Sequence, residues 1–295
     1  MKFILSVLFV VFSGCAQSAN VTWLKMDAPP FSIAQGEDQS GICDVLMDEL
    51  IARIPDYNHK VITLPQVRLR AFFEQGENVC APCLIKRTNS PVVRFSVSTN
   101  VYPPLSVVST VKTKRSLTDK FHDPVVLQSL LADEEFRYGQ ARGRKYTHWV
   151  QSLLDNIKDI DTVSFNYRST DQAAVLGDML INNRIDYGID YPFIADYYNK
   201  LKGKNLLAST MISGTENEFV LGAVGCSEQA PDDFAKTFLE QINKILINDI
   251  LPSEQYKQHQ NGWLGHYFSD YPRLYDEQLL NKKPAHGAGL DKETK

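Results

Sequence analysis

The sequence predicts an α/β protein whose sheets are flanked by helices. Three observations lead there. Short apolar runs rich in β-branched residues alternate with amphipathic stretches of helical period from residue 21 to residue 264. The first of them follow a strand–helix–strand order, which implies a parallel sheet. The composition is that of a globular chain, with 43% apolar and 22% charged residues over 295 positions. The formal net charge of −4 gives a nucleic-acid partner no electrostatic support.

Residues 1–19 read as a targeting segment. Lys2 supplies a minimal positive region, and residues 3–12 (FILSVLFVVF) are too short to span a membrane but suit the core of a signal peptide. Two processing routes are open. Ser13-Gly14-Cys15 resembles a lipoprotein box in which Cys15 is lipidated, although Phe12 stands where Leu is usual. Small residues at 16–19 allow ordinary cleavage instead. Both routes export the protein.

Residues 21–26 (VTWLKM) form a short strand. Asp27-Ala28-Pro29-Pro30-Phe31 follows as a rigid loop, presenting Phe31 to a ligand or to the core. Residues 41–54 are an amphipathic helix with Ile42, Val45, Leu46 and Leu50 on one side. Asp44 in its first turn complements the helix dipole and needs no further role. Residues 60–64 (KVITL) are a second strand. A helix over 65–75 enters through Pro65, carries Arg68 and Arg70, and stops at Gly76.

Residues 76–104 are the densest in chemistry. Strand 79–85 leads into a polar loop, 86–94, and an extended run, 95–98. The loop carries Lys86, Arg87 and Arg94 beside Asn89 and Ser90, and Pro91 keeps it from closing into a helix. In open α/β sheets, ligand-binding groups gather at the carboxyl ends of strands. A solvated basic turn is the plainer alternative.

Cys43, Cys80, Cys83 and Cys226 remain after the leader, an even number in an oxidising compartment. Cys80-Ala-Pro-Cys83 has the spacing of a redox motif but lies in a strand-like run, where residues three apart point to opposite faces. One or two structural disulfides, or buried thiols, are expected. Neither a second CxxC nor a His pair stands at zinc-ligand spacing.

Residues 105–111 are another strand, after which the composition shifts, and polar 112–123 reads as a surface crossing. A short helix follows over 125–131. The basic loop 141–146 (ARGRKY) precedes a helix capped by Thr147, with Trp149, Val150, Leu153, Leu154 and Ile157 on its apolar face. Cations beside the free N–H groups of a helix start make Arg142, Arg144 and Tyr146 candidate anion ligands. A solvated charge cluster is the alternative. After a strand over 162–165, Ser169-x-x-Gln172 fits a capping box for helix 171–183. The buried strand alternating Ile185, Tyr187 and Ile189 ends in Asp190. That carboxylate either faces a cleft or caps the helix after Pro192. Strand 219–224, a long helix over 231–248 and a helix over 253–264 follow. Beyond Tyr267 the tail reads as polar and loosely packed.

In the order and spacing of these pieces the chain resembles a bacterial extracellular solute-binding protein of the amino-acid type (family 3), with the type II periplasmic-binding fold. The matching pieces are Pro29-Pro30-Phe31 after the first strand, the Gly41 helix, Arg94-Phe95-Ser96 with Tyr102-Pro103, Arg184-Ile185-Asp186 followed by Asp190, and the returning 219–224 strand with two terminal helices. The resemblance implies two lobes, each a mixed sheet flanked by helices, joined by two crossover strands. Lobe 1 would span 20–107 and 214–267, lobe 2 would span 108–213, and 268–295 would be a polar tail. It further implies a periplasmic monomer that captures a small-molecule solute and hands it to an ABC permease or a membrane sensor. No cofactor, metal or nucleic acid is expected, and membrane contact only through a lipid on Cys15.

The departures from that family bear on the ligand. There, an Arg six residues before the Phe-Ser pair clamps the ligand carboxylate through two parallel hydrogen bonds. Here that position is Asn89, and the family's Gly-Ser/Thr-Thr loop corresponds to Gly143-Arg144-Lys145. Asp190 matches the acid that receives the ligand's amine. The implied ligand is small and polar but not a standard α-amino acid, and it would meet Asp27, Phe31, Arg87, Asn89, Arg94, Arg142, Arg144, Tyr146, Asp190 and Tyr191. It is either more anionic, facing Arg142, Arg144 and Arg87, or a peptide-like or cyclic compound stacking on Phe31 and Tyr191. Two other classes stay open. One is an enzyme resembling periplasmic cyclohexadienyl dehydratases, with Asp190, Asp27 or His148 as acid or base. The other is a thiol redox protein using Cys80 and Cys83. The chain has no Gly-x-Ser-x-Gly elbow, His-Glu-x-x-His or phosphate-cradling glycine loop.

Overall fold

The computed structural model describes residues 19–26, 28–33, 40–141, 144, 146–156, 163–165 and 172–281. The leader with Cys15, the Ser169 cap, and the candidates Asp27 and Arg142 lie outside these residues.

The first half builds β1 (Ala19–Met26), α1 (Asp44–Arg53), β2 (Tyr57–Leu64), α2 (Gln66–Glu74), β3 (Val79–Ile85) and β4 (Val93–Tyr102). The chain then crosses to a second sheet and supplies β5 (Ser106–Thr110), α3 (Val111–Phe121), α4 (Leu127–Leu131), β6 (Tyr138–Ala141) and α5 (His148–Asn156). It continues with β7 (Val163–Phe165), α6 (Gln172–Ile181), β8 (Tyr187–Asp190), α7 (Pro192–Lys202) and β9 (Leu207–Met211). It returns as β10 (Val220–Ser227) and ends in α8 (Phe234–Ile245), α9 (Glu254–Leu264) and α10 (Tyr271–Tyr275).

The first sheet has the order β2-β1-β3-β10-β4 and the second β7-β6-β8-β5-β9. Strands linked through helices pair in parallel: β1 with β2 and β3, and β6 with β7 and β8. The strands next to the crossings run against their neighbours, β10 against β3 and β4, and β5 against β8 and β9. The architecture is therefore mixed α/β with two sheets, each flanked by helices. No described helix is long and apolar enough to cross a membrane.

The two cysteines of the CxxC do not pair with each other. Cys80 faces Cys226 across the β3/β10 ladder and bonds to it, while Cys83 bonds to Cys43 at the start of α1. One disulfide thus ties β10, which returns from the second sheet, to β3, and the other ties α1 to the same strand. A dithiol reaction between Cys80 and Cys83 has no support in this pairing.

Three elements differ from the sequence-based expectation. The polar stretch 112–123 is the helix α3, which buries only Leu117 among its residues and starts where the Thr110 hydroxyl accepts the Thr113 N–H at 3.0 Å. The segment after Tyr267 is not a loose tail up to residue 280. Asp270 caps α10, a π-helical turn continues it over Asp276–Leu280, and Tyr271, Tyr275 and Leu279 are buried. On α5, Val150 is buried but Trp149 is 43% exposed, so the apolar face is narrower than the pattern suggests.

Candidate functional site

The loop after β1 positions Phe31. The Phe31 N–H donates to the Ala28 carbonyl at 2.9 Å, and the Phe31 carbonyl accepts the Cys43 N–H at 2.8 Å. Asp44 is the hub beneath this loop. Its carboxylate accepts from the Ser32 hydroxyl at 3.0 Å, the Ile33 N–H at 2.8 Å and the Gly41 N–H at 2.9 Å, and pairs with Lys25 at 2.8 Å. Asp44 therefore does more than complement a helix dipole: its buried charge welds the Phe31 loop to the start of α1. From the other side, His59 and α9 brace the lobe: the Trp23 indole donates to His59, and the Gln260 amide donates to the Ile42 carbonyl at 3.0 Å.

The second sheet contributes Arg144 and Asp190. Asp190 ends β8, and Arg144 follows β6, the neighbouring strand. Arg144 Nη2 lies 2.5 Å from Asp190 Oδ1, which also accepts the Tyr191 N–H at 2.8 Å. Burial pushes the Asp190 carboxyl up, against the pull of Arg144 and of that N–H. The guanidinium also sits over the Tyr146 and Tyr191 rings, at 5.8 and 5.6 Å from their centroids. Tyr146 bonds to the Tyr138 hydroxyl at 3.0 Å, and burial pushes its phenol up to about 12.

Aromatic rings join the two sheets' ends. Phe31 packs edge-on against Tyr102, Tyr191 and Phe193, with centroids 5.6, 5.7 and 5.2 Å away. Tyr191 and Phe193 stack at 4.9 Å. Sequence inspection missed Tyr102 and Phe193. Phe193 follows Pro192 in the first turn of α7, and that helix start sets it against the Phe31 ring. Nearby, the Tyr267 hydroxyl bonds to Asp196 of α7, and His266 Nε2 lies 3.6 Å from the same carboxylate.

Beside this cluster opens a cavity of about 630 Å³, inside the ~300–1,000 Å³ range of ligand sites. Phe31, Arg87 and Asn89 line it from the first sheet's side, and Arg144 and Tyr191 from the second. Tyr191 is only 2% exposed, yet its hydroxyl has no hydrogen-bond partner among the described residues. The other candidates are placed differently. Arg94 is on β4 rather than in the loop and makes a bidentate pair with Glu228, at 2.7 and 2.5 Å, outside the cavity lining. Lys86 reaches Ser98 at 3.5 Å. Asp190 and Tyr146 stand behind Arg144 and do not line the cavity. Among the described residues no cluster of His, Cys, Asp and Glu forms a metal centre.

No protein-family model and no curated protein matches the sequence. Solved structures do. A structure described under glutathione import via GshT and the cystine ABC importer TcyBC of Streptococcus mutans superposes with a TM-score of 0.65 at 13% identity, covering 84% of this chain and 96% of that one. A histidine-bound substrate-binding protein of an ABC uptake transporter from Streptococcus pneumoniae gives 0.61 at 15% identity, covering 89% and 94%. The VFT2 domain of Bordetella pertussis BvgS gives 0.56 at 16% identity, covering 83% and 92%. At such identities the likeness is one of fold. The chain is built on the fold shared by the substrate-binding proteins of amino-acid ABC transporters.

Proposed function

We propose that the protein is an exported solute-binding protein that captures a small ligand between two lobes, for ABC-type uptake or for sensing. The observation that carries this is the cavity of about 630 Å³, lined both from the first sheet, by Phe31, Arg87 and Asn89, and from the second, by Arg144 and Tyr191. A ligand seated there touches both lobes at once and so favours their closed arrangement, by its differential affinity for it. Lobe 1 then comprises residues 20–105 and 214–267 and lobe 2 residues 106–213, since β5 (Ser106–Thr110) pairs with β8 and β9. The crossings are the segments between β4 and β5 and between β9 and β10.

The solute is not a free α-amino acid. Asp190, the position that would receive an ammonium group, is covered by Arg144 at 2.5 Å, and Asn89 replaces a carboxylate-clamping arginine. An arriving ammonium would have to displace a guanidinium from a buried carboxylate.

A thermal-shift screen of the exported form tests the function. The panel holds amino acids, dicarboxylates, polyamines, small peptides, nucleoside-like compounds, monocarboxylates and prephenate. Binding to the native state alone stabilises by about 2.7 kcal/mol at a hundredfold excess over Kd. The expected result is a stabilising compound that is recovered unchanged. A stabilising compound that is consumed would replace binding by a lyase-type activity, and no stabilisation by any compound would contradict solute capture.

A further inference from the structure

We propose that the ligand is an organic acid with an apolar body and a single carboxylate, a class that rests on the solute-binding function above. The cavity wall supplies the first argument. Val67, Leu69, Phe73, Leu84, Val92 and Phe95 line the cavity with apolar side chains from α2, β3, the loop and β4. With about 630 Å³ available, the body that fills it is larger than one amino-acid side chain.

The charge balance of the lining supplies the second. Three arginines line the cavity, and no Asp or Glu does among the described residues. Arg70 is paired with Glu74 at 2.7 Å and Arg144 with Asp190 at 2.5 Å, so each of these is balanced from outside the lining. Among the described residues Arg87 has no ion pair, so the described part of the lining carries one positive charge in excess. A ligand of charge −1 matches it. A dicarboxylate overshoots, and a zwitterion brings an ammonium that meets no carboxylate among the described lining residues.

The third observation is the buried Tyr191 hydroxyl without a partner among the described residues. A buried phenol is stabilised by an acceptor, and a carboxylate oxygen is a strong one. The aromatic edges of Phe31 and Tyr102 next to it continue the apolar wall.

Calorimetric titration of the exported form with octanoate, octanamide, octylamine and 2-aminooctanoate tests the class. Octanoate is expected to bind, with octanamide and octylamine at least about tenfold weaker, since a hydrogen bond to a charged group contributes on that scale. Arg87→Gln is expected to weaken octanoate about 10- to 100-fold and octanamide by much less, and Tyr191→Phe to weaken octanoate as well. Octylamine or 2-aminooctanoate binding as tightly as octanoate would overturn the proposal. So would unchanged octanoate affinity in Arg87→Gln, or no binding of octanoate at all. In each of those cases a compound from the wider thermal-shift screen that still stabilises the protein keeps solute binding and removes only the acid class. Silence in both experiments removes both.

Discussion

Arg144 and Asp190 form a shielded ion pair 2.5 Å long, with side chains only 9% and 11% exposed, at the point where the second sheet meets the ligand cavity. The pair links two strand ends 46 residues apart in sequence. It also turns a site that could attract an ammonium into one that presents a guanidinium.

Breaking the pair from one side strands a buried charge. Arg144→Ala is expected to destabilise the protein by about 3–5 kcal/mol, as is usual when one partner of a buried pair is removed. The double variant Arg144→Met with Asp190→Asn is expected to lose less than the sum of the single changes, because neither charge is then left alone. Urea denaturation of the three variants measures both expectations.

Gly41→Ala is expected to disturb the Phe31 loop. A Cβ at Gly41 would lie 2.7 Å from the Phe31 carbonyl oxygen and 2.9 Å from Asp44 Oδ2, and backbone cannot give way as a flexible side chain does. Overpacking of this kind costs about 1–3 kcal/mol. Because the displaced residue is Phe31, a fall in ligand affinity is expected to accompany the fall in stability, and titration with the thermal-shift hit checks it.

Both disulfides are expected to matter for stability and neither for redox turnover. They close separations of 40 and 146 residues. On chain-entropy grounds their loss destabilises by about 4 and about 5 kcal/mol respectively. Denaturation of Cys43→Ser/Cys83→Ser and Cys80→Ser/Cys226→Ser variants measures this, and thiol titration of the unreduced wild type is expected to find none of these four cysteines free.

Stability is expected to fall on mild acidification, in part through His259. Its ring sits 3.0 Å from the Gly41 carbonyl and burial holds its pKa below the usual 6.5. The folded state therefore binds the proton less readily than the unfolded chain. The contribution is complete above about pH 6.5 and is lost as the pH falls through the lower folded-state value. His259→Gln is expected to flatten this part of a melting-temperature profile between pH 7 and 5.

Much of the fold is legible in the sequence because burial imposes periodicity. The apolar run 79–85 is β3 with the bounds its composition suggests, and the alternation of Ile185, Tyr187 and Ile189 marks β8, all three being buried. α3 is not legible, since a helix that buries one side chain has almost no apolar stripe to read. The C-terminal helix was readable in principle. Tyr271, Tyr275 and Leu279 recur every four residues, but the polar, Lys-rich context masks the pattern.

The site is legible residue by residue and not as an arrangement. Phe31, Arg87, Asn89, Arg144 and Tyr191 stand out by type and position, and all line one cavity. That Arg144 would neutralise Asp190, or that Arg94 would turn away to Glu228, depends on which loops the topology brings together. No local pattern encodes that. Asp44 shows the same limit: its helix-dipole role is local, while its four polar partners come from β1 and the loop after it.

The most direct measurement is a calorimetric titration of one thermal-shift hit into the wild type, Arg87→Ala and Tyr191→Ala. These residues line the cavity from opposite sheets. If a single ligand is held between the lobes, both variants weaken it by about tenfold or more. If only one of them matters and the other binds as the wild type does, the ligand sits on one lobe and capture between the two is contradicted.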